Sequence, residues 1–155
     1  MKDSIVESWL INNRVNLKLL DAICNEGLNC TLSKRGGRTV ALQFVHLHNL
    51  RLWRIDRFAK DLYGENTKID PKGVVDRLLL RKCLSESADS VSTWLEAGMS
   101  QGGKIRGFKR GAVAMMCYFI AHESHHRGSI MLTLKQNGFS VQKDIRDGIW
   151  AWNQI

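Results

Sequence analysis

Proline occurs once in these 155 residues, and runs that alternate apolar with polar side chains are nearly absent. Those two scarcities exclude a fold built on sheets and leave long helices punctuated by glycine. The four cysteines, Cys24, Cys30, Cys83 and Cys117, form no CxxC pair. Three of them fall in apolar helical stretches, so buried free thiols are expected rather than disulfides or metal ligands. The longest apolar run, residues 112–121, is about ten residues long, half of the roughly 20 that a membrane-spanning helix needs. No low-complexity tract, internal repeat or apolar leader-type segment is present. The expectation is one cytoplasmic domain over residues 1–155, with no membrane attachment.

Charge is abundant and lopsided. Lysine and arginine outnumber aspartate and glutamate 23 to 15, giving a net charge of +8. Two local basic clusters stand out, Arg51, Arg54, Arg57 and Lys60, then Lys104, Arg106, Lys109 and Arg110. Because the cations are spread over every segment and accompanied by acids, a solvated basic face is expected, not a nucleic-acid surface. An anionic small substrate or cofactor is the partner such clusters would attract.

Hydrophobic spacing predicts four long helices. The first covers 4–26, with Val6, Leu10, Leu17, Leu20 and Cys24 on its apolar stripe, Asn13 pointing inward in a gap of that stripe, and Gly27 at its end. A loop with Gly36-Gly37 follows. The second helix runs over 39–62 with Thr39 as N-cap and Gly64 beyond it. Asp70-Pro71 signals the third, which continues through Val74, Leu78, Cys83 or Leu84, Val91 and Leu95 to about Gly98. The fourth spans 108–137 and closes at Gly138. Its stretch 112–121 is apolar on nearly all sides, so it should be the most buried. Ile145, Ile149, Trp150 and Trp152 should pack back as a short last element. The architecture is an all-α four-helix bundle.

Histidine is scarce but clustered. Three of the five histidines lie in His122-Glu123-Ser124-His125-His126-Arg127-Gly128, and the other two are His46 and His48. On a helix, His126 sits about 40° from His122 and one turn along, on a face shared with Met115, Tyr118 and Ser129. His125 lies about 60° off the other way, as a neighbour, and Glu123 about 100° away, pointing elsewhere. Two imidazoles one turn apart can share a transition-metal ion, and a third from His46 or His48 would leave an open coordination position. His46 shares a stripe with Leu42, Asn49, Leu50 and Trp53, which makes it the preferred third ligand. His122-Glu123-Ser124-His125-His126 also matches the HExxH pattern of zinc proteases. The downstream ligands are missing, since Ser129 and Leu132 stand where glycine and histidine would be needed.

These residues resemble the DinB-like superfamily, also called DinB/YfiT-like. The resemblance covers nearly the whole chain. It rests on Asn12-Asn13-Arg14-Val15-Asn16, on Phe44-Val45-His46-Leu47-His48-Asn49-Leu50-Arg51-Leu52-Trp53, and above all on His122-Glu123-Ser124-His125-His126-Arg127-Gly128-Ser129. It implies a bundle of up-up-down-down order, with three metal-binding histidines that fall here on His46, His122 and His126. Ser129 replaces a glutamine common in the family. The resemblance also implies a homodimer and a zinc or nickel enzyme acting on a small-molecule substrate. Such an enzyme would be a thiol-dependent S-transferase using bacillithiol, mycothiol or glutathione, or a metal-assisted hydrolase; the alternative is a non-enzymatic metal-binding or interaction bundle. Asn13 and Asn49 would orient ligands or substrate, and Arg127 would meet a carboxylate or form a structural salt bridge. Trp53 and Tyr118 would line an apolar pocket or pack the core.

Overall fold

Local sequence fixes most helix ends in the computed structural model, which describes residues 2–33 and 35–155. Helix α1 covers Lys2–Asp21, and a single turn, α2, covers Asn25–Leu28. Helix α3 is Val40–Phe58, α4 is Arg77–Ser100, α5 is Ala112–Gln136 and α6 is Lys143–Gly148, with 3-10 turns at Lys60–Leu62 and Trp152–Gln154. There is no strand among the described residues, only an isolated bridge between Ile105 and Phe108.

Thr39 caps α3 as expected, its hydroxyl accepting from the Leu42 amide at 3.2 Å. Gly138 closes α5 at φ 83°, the left-handed position that glycine adopts without a Cβ penalty. The Phe139 amide donates to the Leu134 carbonyl and the Gly138 amide to that of Lys135, the paired bonds of a Schellman cap.

Other boundaries differ from expectation. The first helix stops at Asp21, and Cys24, far from continuing its stripe, caps α2 with its thiol. Gly27 lies inside α2, packed against Ile23 and Leu134. Asp70-Pro71 opens no helix: Asp70 accepts from the Lys72 amide in an exposed turn, and α4 starts seven residues after Asp70, capped by Asp76 through the Leu79 amide at 2.8 Å. Val74 and Leu78 are consequently exposed, not core residues. Cys83 alone among the cysteines is buried, while Cys24 and Cys117 are exposed and all four thiols are free. The apolar stretch of α5 is buried on one side only. Ala112, Met115, Met116 and Phe119 face the core, and Val113, Cys117 and Ala121 face solvent.

Helices α1 and α3 each pack against both α4 and α5. Side-chain pairs give their directions. Trp9 donates to the Ala88 carbonyl and Asp21 pairs with Arg81, so α1 and α4 are antiparallel. Trp9 meets Phe119 and Asn16 meets Arg127, so α1 and α5 are parallel. His46 meets His126 and Arg51 meets Glu123, so α3 runs against α5. The order is therefore up-down-down-up, not up-up-down-down. The segment 59–76 is the crossover that lets α3 and α4 run parallel, while the shorter link 101–111 joins the antiparallel pair α4 and α5.

The core has two apolar halves. Leu19, Leu20, Phe44, Leu80, Leu84 and Leu134 belong to one, and Trp9, Leu52, Ile55, Val91, Leu95 and Phe119 to the other. Between them, Asn12, Asn13, Asn16, Arg51, Ser87 and Glu123 are all buried. Because Asp76, not Asp70, caps α4, Asp76→Ala should lower unfolding free energy by about 1 kcal/mol. Asp70→Ala should cost less, and urea denaturation of the two variants checks the order.

Candidate metal centre

A buried charge network orients α5. Glu123 is 1% exposed and Arg51 is not exposed at all. Arg51 Nε donates to Glu123 Oε1 at 2.7 Å, and Nη2 donates to Oε2 at 2.9 Å. Arg51 Nη1 reaches Asn13 Oδ1, the Leu84 carbonyl and Ser87 Oγ. Asn12 and Asn16 donate to Glu123 Oε2 at 2.6 and 2.7 Å. Arg127 Nη1 donates to the carbonyl oxygens of the same two asparagines, and its Nη2 to Ser124 Oγ. Burial alone would raise the Glu123 carboxyl. The charge and hydrogen bonds of Arg51, with Asn16 and Arg127, hold it below the ordinary carboxylate value instead. Burial pushes Arg127 down, opposed by Glu123 and reinforced by Arg51.

With Glu123 turned inward, the adjacent His122 and, one turn on, His126 face α3, where His46 meets them. One ring nitrogen from each of His46, His122 and His126 lies within 4.8 Å of the others. His46 Nε2 and His122 Nε2 are 3.3 Å apart. Two bonds of about 2.1 Å at a tetrahedral angle would separate such nitrogens by roughly 3.4 Å, so that pair already has the spacing of two ligands on one zinc-sized ion. Nδ1 of His122 and Nδ1 of His126 are buried without a partner among the described residues.

The rings are in the form that ligates metal. His126 is pushed down to about 4 by burial, then by the neighbouring His122, His46 and His125 rings and by Arg38. Burial also lowers His46, helped by Arg38 and His122. Burial lowers His122 against the opposing charge of Glu123. All three are thus neutral at pH 7, with a lone pair to offer. Tyr118 stacks on His122 at 6.2 Å between ring centroids, and Arg54 lies 5.0 Å over Tyr118. A cavity of about 250 Å³ adjoins the cluster, with Arg38, Gln43, His125, His126 and Ser129 in its wall. Gln43 Oε1 is buried there without a partner among the described residues.

The remaining residues singled out by sequence take other places. His48 points away from the cluster and donates to the Thr67 carbonyl at 2.9 Å, and burial lowers it. Asn49 clamps the crossover, donating to the Ile69 carbonyl and accepting from its amide. Trp53 is 43% exposed and lies beneath Arg54 and Arg57, so it neither packs the core nor lines the metal-side cavity. His125 is exposed, its ring 5.3 Å from that of His126. Asn13 is buried as expected, but on Arg51 rather than on a histidine. Arg51 itself is no part of a solvated basic face.

Three imidazoles converging from two helices of a bundle form a group that could hold a metal ion. The chain belongs to the DinB family, whose sequence model matches residues 1–147. No curated protein and no solved structure gave a match. Membership and the three-histidine cluster are together compatible with a metal-binding protein of this family. No helix is long and apolar enough to cross a membrane among the described residues.

Removing one partner of the Arg51–Glu123 pair strands the other charge in the core. Arg51→Ala should therefore lose about 3–5 kcal/mol of stability, read from the shift of a chemical denaturation midpoint. A loss under about 1 kcal/mol, the scale of an exposed pair, would contradict the role given to this network.

Proposed function

We propose that the chain is a metal-dependent enzyme that holds zinc or nickel on His46, His122 and His126 and acts on a small electrophilic substrate with a low-molecular-weight thiol. The observation that carries this reading is the set of three neutral imidazoles with, among the described residues, no cysteine or carboxylate in the cluster to close a fourth position. A cation bound there lowers the pKa of a thiol or water that reaches it, which supplies a nucleophile at neutral pH. The protein's own part is orientation and capture. The Arg51–Glu123 network fixes the helix that bears two of the ligands, and Tyr118 holds the His122 ring in place by stacking. In the adjoining cavity, Arg38 offers a cation to a carboxylate of thiol or substrate. Hydrolysis at the same centre is the outcome if water takes the place of the thiol.

Purified with zinc or nickel, the parent chain should hold one ion per chain by plasma mass spectrometry. His122→Ala and His46→Ala should each lose it, and His48→Gln should keep it. Thiol conjugates should form from bacillithiol, mycothiol or glutathione with an electrophilic probe, and His122→Ala should abolish them. A metal retained with no exchangeable water, and no turnover with any thiol or with water, would instead make the chain a non-enzymatic metal-binding bundle.

A further inference from the structure

The buried network carries more positive than negative charge. Arg51 and Arg127 are both buried cations, arginine keeps its charge at neutral pH, and one carboxylate, Glu123, lies among them. That carboxylate is spent on Arg51. Among the described residues no acidic group forms an ion pair with Arg127, which is 6% exposed. Of the five guanidinium hydrogens, three are taken, two by Asn12 and Asn16 and one by Ser124. Nε has no acceptor among the described residues and is not sealed from solvent, unlike the buried Nε of Arg14.

Arg127 sits in the wall of a second cavity, of about 360 Å³, on the side of α5 turned away from the histidines. Gly128, in the same wall, lies roughly 160° around the helix from His126 at 100° per residue. The rest of the wall is apolar and aromatic: Val15 from α1, Met131 from α5, and Ile149, Trp150 and Trp152 from the C-terminal segment. Trp150 is 78% exposed although it borders this cavity. The three C-terminal residues lie beyond the stretch 1–147 that the family model matches. A large indole left in water beside an apolar hollow, with a guanidinium in its wall that has no ion-pair partner of its own among the described residues, is the complement of a molecule with an aromatic body and one negative charge. Ser124, whose oxygen accepts from Arg127, keeps its own hydrogen to donate to the same group.

We infer that this cavity binds a small aromatic carboxylate, its ring against Trp150 and Trp152 and its carboxylate against Arg127 and Ser124. The site is separate from the histidine cluster, and its occupancy depends on no metal.

The probes are 2-naphthoate and its neutral isostere 2-naphthamide, titrated by calorimetry and by tryptophan fluorescence. The acid should bind one-to-one at about 1 mM or tighter and about tenfold more tightly than the amide, since a charge-assisted hydrogen bond is lost with the charge. Trp150→Ala should remove most of the fluorescence change and weaken binding. A Cβ on Gly128 meets nothing within 4 Å, and leucine favours helix over glycine, so Gly128→Leu should fold, as circular dichroism will report, while filling the hollow. That variant should lose the acid at least about tenfold, by steric exclusion alone. Equal binding of acid and amide, unchanged affinity in Gly128→Leu, or no saturable binding of either probe would each overturn the assignment.

Discussion

The arrangement depends on one ion pair, Arg51 with Glu123, closed to solvent in the middle of the bundle. Its two residues come from α3 and α5. The groups that satisfy the remaining donors and acceptors come from α1, through Asn12, Asn13 and Asn16, and from α4, through the Leu84 carbonyl and Ser87. All four long helices thus meet at one polar layer between two apolar halves. Hydrophobic packing tolerates rotation of a helix by a fraction of a turn at modest cost. A buried carboxylate with four donors does not, because each lost bond strands a polar group where water cannot replace it. The layer therefore fixes rotation and register together.

The rotation matters because Glu123 is the neighbour of His122. Pinning the carboxylate toward Arg51 turns the His122 and His126 edge toward His46, and burial among one another and near Arg38 keeps the rings neutral. The polar layer is thus the structural support of the candidate metal centre, though none of its members is among the three clustered imidazoles. Arg127, one turn beyond Glu123 on the same face of α5, joins the same layer through Asn12 and Asn16 and also borders the second hollow. One network thereby borders both the histidine cluster and the second hollow.

Much of this was legible in the sequence. Four long helices followed from glycine punctuation and apolar spacing, and the pairing of His122 with His126 followed from the 100° step of a helix. Glu123 was read by angle as pointing elsewhere, which is correct relative to the histidines. Its destination could not be read, because the Arg51 that receives it lies 72 positions away and looked like one of several surface cations. The available signal was the triplet Asn12, Asn13 and Asn16, amides one turn apart on an otherwise apolar helix face, which need buried partners. Helix direction was not legible either, since loop length permits more than one order and only contacts such as Trp9 with Ala88 and Asp21 with Arg81 decide it. The start of α4 was misread because Asp70-Pro71 and Asp76 are both good start signals. Asp70 spends its side chain on the turn at Lys72, and Asp76 is left to cap the helix.

The central claim is that imidazoles from α3 and α5 converge on one ion and leave its coordination open. X-ray absorption at the zinc edge of the loaded, full-length chain tests it most directly. The account predicts a first shell of three imidazole nitrogens at about 2.0–2.1 Å and one exchangeable oxygen, with the outer-shell scattering of histidine rings. A sulfur shell at about 2.3 Å, or fewer than three imidazoles per ion, would contradict it.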